Sequence, residues 1–547
     1  MSSATLTSAD LKGQGNALFA AKNFAEAEIK YTKAIAATDE AADPKGLAVL
    51  YSNRAACRLS LKRPALMDAE RDATKATELD STYAKAFARL ASARERLGDY
   101  PGSKENWQRA LDVLPTTNPT TVEQIQRLQY EGSLKATTAT MYKLERRVFR
   151  GDNDAGWSQI PPPWELAANV IRRMRSENPQ NFTPMQRLSS AWIIHYAHKE
   201  FIEGVDSMAQ NRSQNRSTVT KLAISNLTNG IMRDCRVIQL HGDLLTDYNR
   251  QMGIEAHIYR AWTYGGPELV IREALARQRE EGWDAVRPAI SVTIRVWIMK
   301  AFMSSGLNEQ HEIAVEFYKN CLQVLRELGE HWRLESQTDC GVVFQDSFIF
   351  SVSNMYLDAI MKAADSDPST ELLELLREES NLLIHRVDAV LNHPSALPER
   401  CADLGMYSSF YVYPRGYAYA MQGFYYKKMS TRTGNYREEF SRKSALAYLI
   451  AVQCFPEDDE IHPWFLKVAL ENMLNAGSFS VRESLDVMTR IRTSVPRAKE
   501  IWARSSLGTN IWTEFETVTK EERKLRARVA QGKYTMDVCI RPQDIAL

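Results

Sequence analysis

Five residues among the first ninety have the chemistry to hold two carboxylates at once. Lys12, Asn16, Asn53, Lys85 and Arg89 supply three cations and two side-chain amides. Lys12 and Asn16 stand four residues apart, as do Lys85 and Arg89, so within helices each pair shares a face. A lysine offers a point charge, an arginine can grip a carboxylate through two parallel hydrogen bonds, and an amide donates without adding charge. Brought together, they suit a chain terminus ending in an acidic residue, whose α-carboxylate and side-chain carboxylate lie close together. Taken one at a time, each reads as structural. Lysine and arginine at this spacing are common on solvated helices, and an asparagine can bond neighbouring backbone. Asn53 is the odd one, set in LYSNRAACRL beside Ala55, Ala56 and Cys57. It marks either a surface helix with a polar face or a helix that lines a groove.

The elements that must position these residues repeat. In ADLKGQGNALFAAKNFAEAEIKYTKAIAATDE, Thr7 or Ser8 can cap a helix with Asp10 in its first turn. Leu11, Gly15, Leu18 and Phe19 recur at helical spacing, Asn23-Phe24 marks a turn, and Ala27, Tyr31 and Ala34 continue on a second helix. The next copy is YSNRAACRLSLKRPALMDAERDATKATELDS, with Ala69, Ala73 and Ala76 on its second helix. The third, YAKAFARLASARERLGDYPGSKENWQRALDVLP, has Gly98 at its turn, Trp107 and Ala110 on the second helix and Pro115 as terminator. Small residues at these steps let paired helices approach closely. The pattern resembles three tetratricopeptide repeats, with Thr120 to about Lys143 as a capping helix. Two departures, TDEAADPKG and about two extra residues in LKRPALMD, fall at expected loops.

In such an array the first helix of each hairpin lines the concave groove, which puts Lys12 and Asn16 on one helix, Asn53 on the next and Lys85 and Arg89 on the third. LKGQGNALF, YSNRAA and KAFAR look like the dicarboxylate-clamp domains of chaperone adaptors such as the Hsp-organising protein. The resemblance covers about residues 9 to 135. It implies that Lys12, Asn16, Asn53, Lys85 and Arg89 grip the C-terminal Glu-Glu-Val-Asp of heat-shock protein 70 or heat-shock protein 90, and that Arg54 is structural. The extra residues around Pro64 lie between Asn53 and the Lys85/Arg89 pair and bear on their relative placement.

The remaining features bound the rest. The chain has 547 residues, 69 Lys+Arg against 68 Asp+Glu, and 44% hydrophobic residues, so nucleic acid or a membrane surface is not the expected partner. Seven scattered cysteines without a CxxC pair argue against a disulfide framework or a zinc site. The first residues, MSSATLTSADLKG, lack a signal-peptide pattern, and no run is long and apolar enough to span a membrane. The expected location is the cytoplasm, with nuclear access, and the sequons at Asn181, Asn211, Asn215 and Asn226 read as chance matches.

Helical periodicity dominates throughout, so the fold class is all-α: a tetratricopeptide superhelix over 1–145, a Gly/Pro-rich linker over 146–165 and a helical region over 166–547. In that region Ser444, Tyr448, Ala451 and Pro456, and Ala314, Tyr318 and Cys321, repeat the spacing of a tetratricopeptide second helix, which suggests an array of degenerate hairpins, the alternative being a compact helical domain. HYAHKE offers His195 and His198, but HExxH is absent and packed histidines are the better reading. HGD at 241–243 resembles a metallophosphatase loop without companion signatures. FYVYPRGYAYAMQGFYYKK, with Arg415, Lys427 and Lys428, reads as a helix packed on both sides rather than a stacking surface, and RKLRARVAQGK as a solvated helix end.

These observations describe a non-catalytic protein-binding adaptor, a co-chaperone by resemblance, with no cofactor and no metal. The helical remainder would engage a client or second protein. Two alternatives stay open: an enzyme whose helical catalytic domain the repeats would target, and a scaffold whose groove binds internal peptides.

Overall fold

The computed structural model describes residues 7–61, 65–149, 160–177, 181–213, 223–238, 244–263, 265–366, 369–393, 404–432 and 434–545. Half of the expected linker (150–159), the residues around Pro64 and the HGD stretch lie outside these. In chain order the helices are α1 (Ser8–Ala20), α2 (Phe24–Ala36), α3 (Pro44–Ser60), α4 (Leu66–Leu79), α5 (Ala84–Arg96), α6 (Tyr100–Asp112), α7 (Thr121–Phe149), α8 (Pro163–Glu177), α9 (Pro184–Arg187), α10 (Ser190–Ser213), α11 (Ala223–Arg233) and α12 (Leu244–Tyr259). They continue as α13 (Pro267–Glu281), α14 (Trp283–Asn308), α15 (His311–His331), α16 (Gln337–Cys340), α17 (Asp346–Ser366), α18 (Thr370–Leu391), α19 (Tyr413–Arg432), α20 (Arg437–Val452), α21 (Ile461–Ala476), α22 (Val481–Trp502), α23 (Ile511–Ala530) and α24 (Pro542–Ile545). Among the described residues an isolated bridge between Ser480 and Cys539 is the sole β feature, so the fold is all-α.

Two compact units divide the chain: Met1–Gly151 with Ala256–Arg333, and Asp152–Glu255 with Leu334–Leu547. In the first, α1 to α6 form three hairpins. Thr7 is the cap of α1, in a capping box with Asp10; Asp43 caps α3 with Pro44 at its first position, and Asp99 caps α6. The hairpins close tightly because a small residue faces a large one. A Cβ on Gly15 would lie 2.8 Å from the Tyr31 ring. Gly98, at φ +77°, makes the turn into α6 that a side-chain-bearing residue would resist. Ala55, Ala69, Ala73, Leu90 and Ala93 knit the second hairpin to the third. Trp107 meets Tyr130 of α7 at 5.6 Å between ring centroids, so α7 covers the apolar end of the third hairpin.

Arg54 is spent on this framework. Its Nε and Nη2 donate to the two oxygens of fully buried Asp72 at 2.7 and 2.8 Å, and Arg58 Nη1 donates to the same carboxylate at 3.0 Å. The fork of a guanidinium fits a carboxylate in the plane, and burial leaves neither partner a substitute in water.

The same unit contains α13 to α15, which the sequence division places after the linker. Glu316 on α15 reaches the open end of α4 and accepts from the Leu66 N–H at 2.6 Å and the Met67 N–H at 3.4 Å. These are two of the amides a helix cannot satisfy within itself. Asn320 of α15 adds a contact to the Met67 sulfur at 3.2 Å. Burial pushes the Glu316 carboxyl up to about 8, helped by Asp68 and opposed by the two amides and Arg96.

The second unit is built on the same helix-pair device. A Cβ on Gly423 would lie 2.6 Å from the Tyr448 ring, and Ser444 donates to the Gly423 carbonyl at 2.8 Å, which fixes α19 against α20. Gly204 and Gly230 let α10 and α11 come into backbone contact. Within this unit Arg236 donates to Asp234 at 2.7 Å and, through both terminal nitrogens, to Asp459 at 2.9 and 3.0 Å. Its guanidinium lies 3.7 Å from the Trp502 ring centroid, and Tyr413 donates its hydroxyl to Asp459 at 2.7 Å.

Three consequences are measurable. Asp72→Ala leaves Arg54 without its carboxylate and Arg58 with Glu28 alone, and should cost about 3–5 kcal/mol in chemical denaturation, as breaking a buried pair from one side does. Arg236→Ala strands Asp234 and Asp459 and should cost about as much, with Arg236→Lys failing to restore it because an ammonium cannot span both acids. Glu316 holds its proton more tightly in the fold than a free glutamate near 4.5, so its contribution is present below that pH and is lost as pH rises through about 8. The melting temperature of the wild-type chain should therefore fall more between pH 6 and 9 than that of Glu316→Gln, which keeps the acceptor oxygen but cannot ionise.

Candidate functional site

The candidate groove residues stand on α1, α3 and α5, the first helices of the three hairpins. Lys12 is partly exposed and Asn16 exposed on α1, Asn53 is partly exposed on α3, and on α5 Lys85 is exposed and Arg89 partly exposed. Four residues on a helix rise about 6 Å, so Lys12 and Asn16 sit one turn apart on one face, as do Lys85 and Arg89.

The two amides meet directly: Asn53 Nδ2 donates to Asn16 Oδ1 at 3.4 Å. A second donor arrives at the same oxygen from α2, the Tyr31 hydroxyl, at 2.7 Å. Tyr31 is only 2% exposed, and burial, with the nearby Cys57, pushes its hydroxyl up to about 12, so it keeps its proton at any working pH. Cys57 lies beneath the same face; burial and Glu28 push its thiol up to about 12, against the opposing charges of Arg58 and Arg89.

The cations are distributed around this pair. Among the described residues no carboxylate pairs with Lys12, Lys85 or Arg89, in contrast to Arg54, Arg58 and Arg94, each held by an acid. Arg89 is close enough to act on Tyr83, on Cys57 of α3 and on Tyr130 of α7: burial raises each of these groups and the Arg89 charge opposes the rise. It thus stands between the second hairpin and the capping helix. No direct bond joins Lys12, Lys85 or Arg89 to the amides among the described residues. Uncompensated positive charge along a groove with amide donors at one point is an arrangement that anions enter with little rearrangement.

Tyr31 is a buried core residue whose hydroxyl reaches the Asn16 amide, and spacing alone assigns it to an apolar helix face. For Tyr31 the usable signal was a hydroxyl placed opposite Gly15, where a phenylalanine would pack as well.

Other candidates are accounted for by packing. His198 stacks on Trp164 with ring centroids 4.8 Å apart, and burial lowers the basicity of both His198 and His195, the latter with help from Arg175 and Lys199. Among the described residues no group of three or more His, Cys, Asp or Glu side chains is placed to hold a metal ion. In the tyrosine-rich helix, Tyr413 and Tyr425 bury their rings and donate to Asp459 and Glu374, each at 2.7 Å, while Arg415 pairs with Asp388 at 2.6 Å. No helix among the described residues is long and apolar enough to cross a membrane.

No family model matches the chain. The Saccharomyces cerevisiae heat shock protein STI1 is 38% identical over 109 residues, which are 20% of this chain and 17% of that protein. Protein unc-45 homolog B of Danio rerio is 38% identical over 140 residues, 25% of this chain and 15% of its own. Hsp70-Hsp90 organizing protein 2 of Arabidopsis thaliana is 26% identical over 197 residues, 36% of this chain and 32% of its own. The chain thus spans less than a third of the length of these relatives. Among solved structures, yeast Tom70 aligns over 96% of this chain and 98% of its own at 14% identity and a TM-score of 0.22. The Caenorhabditis elegans myosin chaperone UNC-45 in complex with a Hsp90 peptide aligns over 97% and 70% at 15% identity and a TM-score of 0.25. Scores of this size do not establish a shared arrangement of helices. Part of the chain is, by sequence, similar to the tetratricopeptide segments of heat-shock organising proteins, and the similarity is limited to a segment.

Proposed function

We propose that the chain is a chaperone-associated adaptor whose N-terminal groove binds the acidic C-terminus of a partner, the Glu-Glu-Val-Asp tail of heat-shock protein 70 or 90. The observation that carries this reading is the Asn16–Asn53 amide contact at 3.4 Å, on a face where Lys12, Lys85 and Arg89 have no acid of their own. The amides would take the terminal carboxylate, with Lys12 beside them. Lys85 and Arg89 would take the aspartate side chain or the carboxylates upstream of it. The partial likeness to heat-shock organising proteins supports the same choice of ligand. The groove works by binding alone, with no cofactor or metal. The linker near residues 146–165 would lead from the repeats into the helical region that follows, part of which packs back on them, and that region would carry a second protein partner. The cytoplasm is the compartment where such a partner would be met.

The test is titration of the full-length chain with a labelled peptide ending in Glu-Glu-Val-Asp and with its C-terminally amidated twin. A short ligand of this kind should bind in the micromolar range, about 8 kcal/mol. Amidation should weaken binding by roughly tenfold or more, as should Arg89→Ala, since either removes a charge-assisted contact of about 1.5–3 kcal/mol. Rising salt should weaken binding as well. Binding that ignores amidation would mean an internal-peptide groove and would end the clamp reading.

A further inference from the structure

We infer that the Tyr31 hydroxyl is the positioning group of the groove: it holds the Asn16 carbonyl inward so that the Asn16 N–H donors face the ligand. The inference rests on the clamp reading and adds to it a residue outside the five.

An asparagine side chain is nearly symmetric in shape but opposite in polarity at its two ends. Turned one way, Asn16 offers a carboxylate two N–H donors; turned the other way, it offers an oxygen that repels it. An exposed asparagine turns freely between the two, so half the benefit of the residue is lost unless a neighbour decides. The neighbour here is buried. Tyr31 donates to Asn16 Oδ1 at 2.7 Å, and the Asn53 amide donates to the same atom at 3.4 Å. Two donors converging on one atom demand an oxygen there, which sends the Asn16 nitrogen outward. Burial pushes the hydroxyl up to about 12, so the donor is present at neutral pH.

The hydroxyl itself is fixed from behind. The Tyr31 ring packs where Gly15 lacks a Cβ, one that would sit 2.8 Å from the ring edge. Gly15 and Asn16 are consecutive on α1, so the close approach that seats the ring also sets the distance between hydroxyl and amide. The ring serves the fold and the oxygen serves the ligand, which is why a substitution that removes only the oxygen separates the two roles.

The experiment uses full-length Tyr31→Phe, Asn16→Ala and the double variant, titrated with the free-acid and amidated peptides and checked for fold by circular dichroism. Tyr31→Phe should retain its helical signal and bind the free-acid peptide roughly tenfold more weakly, about 1.4 kcal/mol, with little change for the amidated peptide. In the Asn16→Ala background the same substitution should cost nothing further, since the group it orients is gone. Asn16→Asp is a separate arm, independent of how Tyr31→Phe folds. It keeps an acceptor for the Tyr31 hydroxyl but presents an oxygen outward, and it should bind more weakly than Asn16→Ala. The inference is overturned if Tyr31→Phe binds as the wild type does, if it loses the same factor with the amidated peptide or in the Asn16→Ala background, or if Asn16→Asp binds as well as the wild type. A wild-type chain that binds neither peptide overturns the clamp reading and this inference together. Wild-type binding that is indifferent to Tyr31 overturns this inference alone.

Discussion

The close approach of two helices over a missing side chain is the contact from which the described architecture follows. Gly15 admits the Tyr31 ring, and Gly423 admits the Tyr448 ring, in each case at a separation no Cβ would tolerate. A hairpin closed in this way has one defined crossing geometry, and stacking such hairpins presents the first helix of each on a common side. The hydrophobic effect drives the stacking, but it does not choose the crossing; steric fit between small and large residues does.

Once the hairpins are fixed, charge is sorted by burial. Arg54 and Arg58 on α3 go to Asp72 on α4, which takes them out of circulation as ligand contacts. Two positions away from Arg54, Ser52 is buried, while Asn53 between them is partly exposed and reaches Asn16. Adjacent residues on one helix thus serve opposite purposes, because successive side chains point about 100° apart around the axis. Lys12, Lys85 and Arg89 stay without an acid partner among the described residues, while the more buried Arg54 and Arg58 are paired. A reversal of either would leave a buried charge without a partner or a groove without attraction for an anion.

The repeat domain is also supported from behind in a way that hairpin logic does not foresee. Glu316 supplies the cap that α4 lacks, since Ala65 before it has no side-chain acceptor. A cap delivered from some 250 residues downstream ties the second hairpin to α15 and makes that tie sensitive to proton concentration. In the second unit the Arg236, Asp234 and Asp459 cluster shows the same economy, with a buried fork satisfying acids from two segments.

The sequence by itself determined the helical class, the three hairpins with the helix that follows them, and the shared faces of Lys12 with Asn16 and of Lys85 with Arg89. All of these follow from local rules: the 3.6-residue period, a cap such as Thr7, a turn glycine such as Gly98, and small residues at helix contacts. The resemblance of its motifs to clamp domains supplied the candidate ligand. What the tertiary structure alone decided was which polar atoms meet. The donation of Tyr31 to Asn16, the capping of α4 by Glu316 and the pairing of Arg236 with Asp459 join residues 15, 250 and 223 positions apart. Hydrophobic period says which face of a helix turns inward. It carries no information on which hydroxyl, carboxylate or guanidinium waits there, because those bonds depend on angstrom-scale distances set by packing across the whole unit.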